Sequence, residues 1–277
     1  CGALAYYGCK PILVDVGNDL NIDYDKILNR ISKNTKAIMP VHLSGIPFDV
    51  EKIKKICKSK NLYFIEDAAH AFGAKFKSKN IGTFGDVGIF SLHPRKNFHV
   101  LGDGGLITTN NKDLYKKILL LRNHGLINRD KSVVWGTNSR LDNFQASIGN
   151  YMLKKIKKIN KKHLMIANYY NRNLKNLVQV PVYNLKLVLP TFHQYIIRTQ
   201  HRDELRKFLK KNGIETAIHY PIPIHKQSAY KNKFGNLSLK NTEAFSKQIL
   251  SLPIHNWLTL RDIEYVVKKI RSFFNKS

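Results

Sequence analysis

Between residues 11 and 121 short apolar runs alternate with helical patterns, and this alternation directs the chain to an α/β fold with a mainly parallel sheet. The runs predict strands at Pro11–Val16, Ala37–Pro40, Leu62–Glu66, Val87–Phe90 and Leu106–Thr109. Helical spacing of apolar residues predicts helices at Val50–Lys60 and Asp113–Leu121, and the stretch Ala3–Val16 reads as a helix leading into the first strand. The long helical periodicity of Leu141–Leu174 reads as the link between two domains. Beyond it the texture changes. Phe192–Thr199 reads as a strand, Arg202–Lys211 as a helix ended by Asn212-Gly213, and Leu260–Phe274 as a last helix with Asp262 near its start. The expected organisation is a large domain over residues 1–160 and a smaller C-terminal α/β domain over 161–277.

Bulk properties narrow the function classes. No apolar run reaches membrane-spanning length and no signal-peptide pattern opens the sequence, so no membrane partner is expected. Cys1, Cys9 and Cys57 show neither metal-binding spacing nor a disulfide framework, which suits a reducing cytoplasm. The formal net charge of +28 invites a nucleic-acid reading. Its lysines, however, are spread over predicted helices, as in Lys52-Ile53-Lys54-Lys55 and Lys154-Lys155-Ile156-Lys157-Lys158, and read better as solvated faces. No nucleic-acid partner is therefore expected.

Two segments carry chemistry. Phe64-Ile65-Glu66-Asp67-Ala68-Ala69-His70 is an apolar strand ending in a carboxylate, and Phe90-Ser91-Leu92-His93-Pro94-Arg95-Lys96-Asn97 places a lysine shortly before Gly102-Asp103-Gly104-Gly105. Taken alone, Asp67 reads as a helix N-cap and Lys96 as one surface lysine of many. Together they supply what pyridoxal phosphate (PLP) chemistry needs. A lysine amine condenses with the cofactor aldehyde, and an aspartate keeps the pyridine nitrogen protonated so that the ring accepts electrons. The glycine cluster lacks the spacing and helix context of a dinucleotide fingerprint and reads as a tight turn. His219 and His225 have no standard metal spacing, and no metal is expected.

The two segments resemble the DegT/DnrJ/EryC1/StrS family of sugar aminotransferases. Pro40-Val41-His42-Leu43-Ser44-Gly45, Gly136-Thr137-Asn138-Ser139-Arg140-Leu141-Asp142, Gly213-Ile214-Glu215-Thr216-Ala217-Ile218-His219-Tyr220-Pro221 and Leu250-Ser251-Leu252-Pro253 match its pattern in order along the chain. The resemblance implies the fold-type I layout of PLP enzymes. It implies that Asp67 pairs with the pyridine nitrogen, that His70 lies on the face of the cofactor ring, that Ser91 donates to the cofactor phosphate, and that Lys96 holds the cofactor and shuttles the proton. It further implies that Asn138 reaches the cofactor phosphate of a neighbouring subunit, with Arg140 near the sugar nucleotide, so that a homodimer shares its sites. His219 and Tyr220 would line the substrate cleft.

The implied activity moves an amino group from L-glutamate to a nucleotide-linked keto-deoxysugar. The spacing Lys-Asn-x-x-x-x-Gly-Asp-Gly-Gly resembles members that aminate C3, which favours a 3-keto over a 4-keto substrate. Two alternatives stand beside it: a PLP-dependent sugar dehydratase, whose members replace the lysine by histidine, and a regulatory or nucleic-acid-binding protein that retains the fold. The chain starts at Cys1 in mid-pattern, and the resemblance implies a preceding portion whose loop amides cradle the cofactor phosphate.

Overall fold

A computed structural model describes residues Cys1–Asn275. The chain divides into two compact units. One comprises Lys36–Lys161 and Leu185–His193, and the other Cys1–Thr35, Lys162–Asn184 and Gln194–Ser277.

The first unit is built on a four-stranded sheet in the order Ala37–Ile38, Tyr63–Asp67, Val87–Ser91, Gly105–Thr108. The first three strands are parallel and the fourth runs antiparallel to the third. The expected parallel character holds for three strands, with an antiparallel strand on one edge. Helix Val50–Lys60 forms as the pattern predicts. Asp49 caps its start by accepting from the Glu51 and Lys52 amides, and Asn61 ends it in the left-handed region. Asn111 caps helix Lys112–Leu121 in the same way. The periodicity of Leu141–Leu174 resolves into two helices, Asn143–Leu153 and Ile156–Leu174, and the division between the units falls inside the second.

The three parallel strands end at one edge of the sheet. Ligand sites of parallel α/β sheets form at the carboxyl ends of strands. The segments leaving these three strands are the ones beginning at Met39, Ala68 and Leu92, which carry the motifs singled out above. Val41 still pairs with Asp67, and Leu92 and Val100 bond to one another around the turn that holds Lys96.

The second unit pairs strand Tyr195–Arg198 antiparallel with Ile249–Leu252. Around it lie the buried faces of helices Arg202–Lys211 and Leu260–Phe274, through Leu205, Leu209, Ile263, Val266, Val267 and Ile270. Thr259 and Asp262 form a reciprocal capping box at the start of the last helix. Pro11–Val16 is not a strand here: only Val16 makes a bridge, to Ile22. Asp15 instead spends its carboxylate on Lys26 Nζ, on the Asn241 and Thr242 amides and on the Thr242 hydroxyl. Burial by itself would raise its pKa, but these donors outweigh it and hold the group far below the carboxylate range. The Tyr230 hydroxyl and the Lys233 amine also bond to the carbonyls of Pro11 and Ala5. These bonds place residues 1–35 with the C-terminal part, so the partition is not the single cut at residue 160 expected from the sequence.

Candidate active site

Strand Tyr63–Asp67 alternates, as period two requires. Phe64 and Glu66 are buried and Asp67 is half-buried. The two adjacent carboxylates therefore meet different surroundings. Glu66 is saturated: it accepts from the backbone amides of Gly82 at 2.9 Å, Phe84 at 2.6 Å and Gly85 at 2.8 Å, and lies 3.2 Å from His42 Nε2. Burial opposes its charge, yet these donors hold its pKa below the ordinary value. His42 is fully buried and stacked on Phe48, and burial pushes its pKa down. The neutral ring donates through Nε2, which leaves Nδ1 as a lone pair without a partner, an arrangement that fits the orphaned buried Nδ1. Asp67 is different. Its Oδ1 accepts from the Ala69 amide at 3.1 Å, and among the described residues nothing donates to Oδ2.

Lys96 lies on a turn pinned from both sides. Leu92, Phe98 and Val100 are buried in one cluster with Met152 and Ile156, against Phe72, Leu141 and Ile148. Each such side chain contributes about 1.5–3 kcal/mol by leaving water. Lys96 itself is half-buried. Desolvation lowers its pKa below that of an ordinary lysine, and the charge of Asp67 restores part of the loss. Lys96 lines a recess together with His70, Ser91, Asn97 and His193. Ser91 Oγ accepts from the His93 amide at 3.3 Å, the turn chemistry of a serine at a strand end.

His70 is held by the motif that precedes it in the chain. Ser44, at φ 59°, donates its amide to His70 Nδ1 at 3.2 Å. Gly45 has φ +83°, and a Cβ there would stand 2.4 Å from Thr191 Oγ1 and 2.7 Å from the His70 carbonyl, so only glycine fits. Pro40–Gly45 thus serves as the seat for His70.

The structure brings Lys96, His70 and Ser91 together, with Asp67 coupled to Lys96 by charge. Asn138 and Arg140 are exposed and absent from this recess. They bond to each other, Arg140 Nε to Asn138 Oδ1 at 3.3 Å, on a segment that runs beside the end of helix Lys112–Leu121. Trp135, three residues before Asn138, is 98% exposed. His219 and Tyr220 belong to the other unit. There His219 Nδ1 lies 2.8 Å from Ser251 Oγ, and Tyr220 is exposed. His225 is buried with Nε2 3.0 Å from Glu243, a structural pair. Asn97 and His193 had no assigned role in the sequence reading. His193 stands 97 residues after Lys96 with no motif around it, and Asn97 was only part of a pattern.

The residues present fit PLP by chemistry. A lysine with a lowered pKa and an imidazole line one recess, and a carboxylate with an open oxygen acts on that lysine by its charge. The fold and this donor set define a fold-type I PLP-dependent transferase. Residues 1–271 match the DegT/DnrJ/EryC1/StrS aminotransferase family, and the chain belongs to it. Among relatives, a pleiotropic regulatory protein of Geobacillus stearothermophilus is 38% identical over 278 residues, 99% of this chain and 75% of that protein. The dTDP-3-amino-3,6-dideoxy-alpha-D-galactopyranose transaminase of Aneurinibacillus thermoaerophilus is 38% identical over 276 residues, 98% of this chain and 75% of the enzyme. The crystal structure of S. venezuelae DesV in complex with a ketimine intermediate superposes with a TM-score of 0.95 at 33% identity, covering 99% of this chain and 75% of that one.

Proposed function

We propose that this aminotransferase uses PLP to move an amino group from L-glutamate to a nucleotide-linked keto-deoxysugar, with a 3-keto group preferred over a 4-keto group. The observation that carries the reading is the recess in which a partly desolvated Lys96 lies beside His70 and Ser91 under the charge of Asp67. Family membership supports the reaction class, and the similarity to a 3-amino sugar transaminase supports the position.

When bound, the cofactor supplies an electron sink that lets a proton leave the amine-bearing carbon. Asp67 would hold the ring nitrogen through its open carboxylate oxygen, His70, seated by Ser44 and Gly45, would hold the ring, and the Ser91 hydroxyl would hold the phosphate. Lys96 would hold the cofactor, and its amine, with a pKa below that of ordinary lysine, would take and return the proton in each half-reaction. His219, Tyr220 and Arg140 bind the sugar nucleotide, for which the basic surface supplies general attraction. Asn138 serves a partner subunit. The exposed Val133, Val134 and Trp135 beside it support burial against a second copy, so the working form is a homodimer with shared sites. The chain works in the cytoplasm. Among the described residues no helix is long and apolar enough to cross a membrane.

The regulatory reading has one observation behind it, the similarity to the pleiotropic regulatory protein, but it leaves the Lys96 recess without a purpose. The test is NMR of the purified protein incubated with PLP, glutamate and a panel of nucleotide-linked 3-keto and 4-keto sugars. The expected products are 2-oxoglutarate and a 3-amino sugar. Amination at C4 alone would overturn the positional preference, and no amination of any sugar would overturn the substrate class.

A further inference from the structure

We infer that Asn97 is the positioning residue for Lys96: its carboxamide ties the residue beside the reactive amine to the Thr191 carbonyl, to Asn160 and to His193, and so fixes where the amine stands and which nitrogen of His193 carries a proton. The inference rests on the reading of Lys96 as the cofactor lysine.

The orientation of the amide is determined by its partners. The Thr191 carbonyl can only accept, so the atom 2.9 Å from it is Asn97 Nδ2. The second amide hydrogen goes to Asn160 Oδ1 at 3.0 Å. Asn160 is itself oriented, because its Nδ2 donates to the Phe72 carbonyl at 3.0 Å. Asn97 Oδ1 is left facing His193 Nδ1 at 3.4 Å. That oxygen only accepts, so His193 bears its proton on Nδ1. His70 has the opposite tautomer when neutral, since its Nδ1 accepts from the Ser44 amide and the proton sits on Nε2. The two rings lie 4.6 Å apart, tilted by 47°. Lys96 therefore shares its recess with two imidazoles of defined and opposite hydrogen-bonding character.

Packing alone does not require this. Leu92, Phe98 and Val100 already anchor the turn, and an apolar side chain at 97 would extend that cluster. A half-buried amide in such a wall is costly unless each polar atom is paired. Here each is paired, to residues 63, 94 and 96 positions away in sequence. The arrangement converts the height and angle of the residue next to Lys96 into a hydrogen-bonded constant. Among the described residues, the titratable groups lining the recess with Lys96 are His70 and His193, and Asp67 acts on the amine by its charge.

The test uses Asn97→Ala and Asn160→Ala, the second removing one anchor while leaving the Thr191 bond. In cofactor-free protein, competitive acetylation across pH read by mass spectrometry reports the titration of Lys96. In the protein loaded with PLP, the pH titration of the cofactor absorbance and the split between kcat and KM are measured. For Asn97→Ala the Lys96 midpoint is expected to move toward the other lysines by about half a pH unit or more. The expected fall in kcat is about 10- to 100-fold, with the sugar KM held within about threefold, as a misplaced reacting group requires. Asn160→Ala moves the midpoint in the same direction by less, and it decides the matter if Asn97→Ala does not fold. An unchanged Lys96 midpoint and an unchanged kcat with only a lower melting temperature would overturn the inference. Failure of the cofactor reading looks different: the unaltered protein would then give no absorbance band with PLP, whatever the variants do to acetylation.

Discussion

The turn that carries Lys96 and the segment Val133–Arg140 belong to the same unit, yet they are held on opposite terms. The first is flanked by Leu92, Phe98 and Val100, each at most 3% exposed, and the Asn97 side chain next to Lys96 is paired within the unit. The second leaves Val133, Val134 and Trp135 in solvent, and its candidate functional residues Asn138 and Arg140 bond mainly to each other. On the proposed mechanism, proton transfer is assembled by one copy of the chain, and the second segment is completed by another copy.

The largest effect expected falls on the first region. Lys96→Ala should lower turnover by about 10⁴-fold or more, since on the proposed mechanism it removes both the covalent anchor and the general acid–base, as read by coupled detection of 2-oxoglutarate. Near-normal transamination would break the comparison at its root. Next comes the second region. Asn138→Ala should inactivate the site of the partner subunit and so both sites of its own dimer, and mixing it with Lys96→Ala should recover about a quarter of normal activity through hybrid dimers that each hold one intact site. No recovery from protomers shown to exchange would mean that each copy builds its own site. Trp135→Asp should shift the dimer toward monomer in sedimentation without lowering the melting temperature of the monomer, because an exposed residue supports no fold.

Smaller effects separate scaffold from site. Glu66→Gln sets an amide NH₂ against backbone donors and should cost about 3 kcal/mol in urea unfolding. The same pair gives an acid sensitivity with a defined sign. Burial lowers the His42 pKa from its ordinary 6.5, so protonation of the unfolded chain below that pH favours unfolding. The Glu66 pKa is lowered from its ordinary 4.5, so the stability it lends is present above that pH and is lost as the pH falls through its folded value. The urea midpoint should therefore decline below about pH 6.5 and more steeply below about 4.5. A midpoint flat from pH 7 to 4 would show that the pair does not support the strand beneath Asp67.

Much of the first region was legible because its determinants are local. Helix Val50–Lys60 announces itself by apolar spacing and by Asp49, and strand Tyr63–Asp67 by an apolar run that closes in acids. Lys96 and Asp67 could be paired because strand ends at one edge of a parallel sheet are near one another. What escaped was non-local. Pro11–Val16 has the composition of a strand, but Asp15 satisfies the backbone of residues 241 and 242 and draws the segment away from any ladder. His193 reaches the recess only because Thr191 bonds Gly45 and Asn97, contacts that no periodicity encodes. Glu66 was visible as an acid, but its role depends on the turn Gly82–Gly85, which folds back onto it.

On the proposed mechanism Lys96 is the amine that takes the cofactor. Borohydride reduction of the protein mixed with PLP, followed by peptide mass spectrometry, reads this directly. The predicted result is a phosphopyridoxyl group on the peptide bearing Lys96 and its loss in Lys96→Ala. A stable adduct confined to another lysine, with Lys96 unmodified, would contradict it.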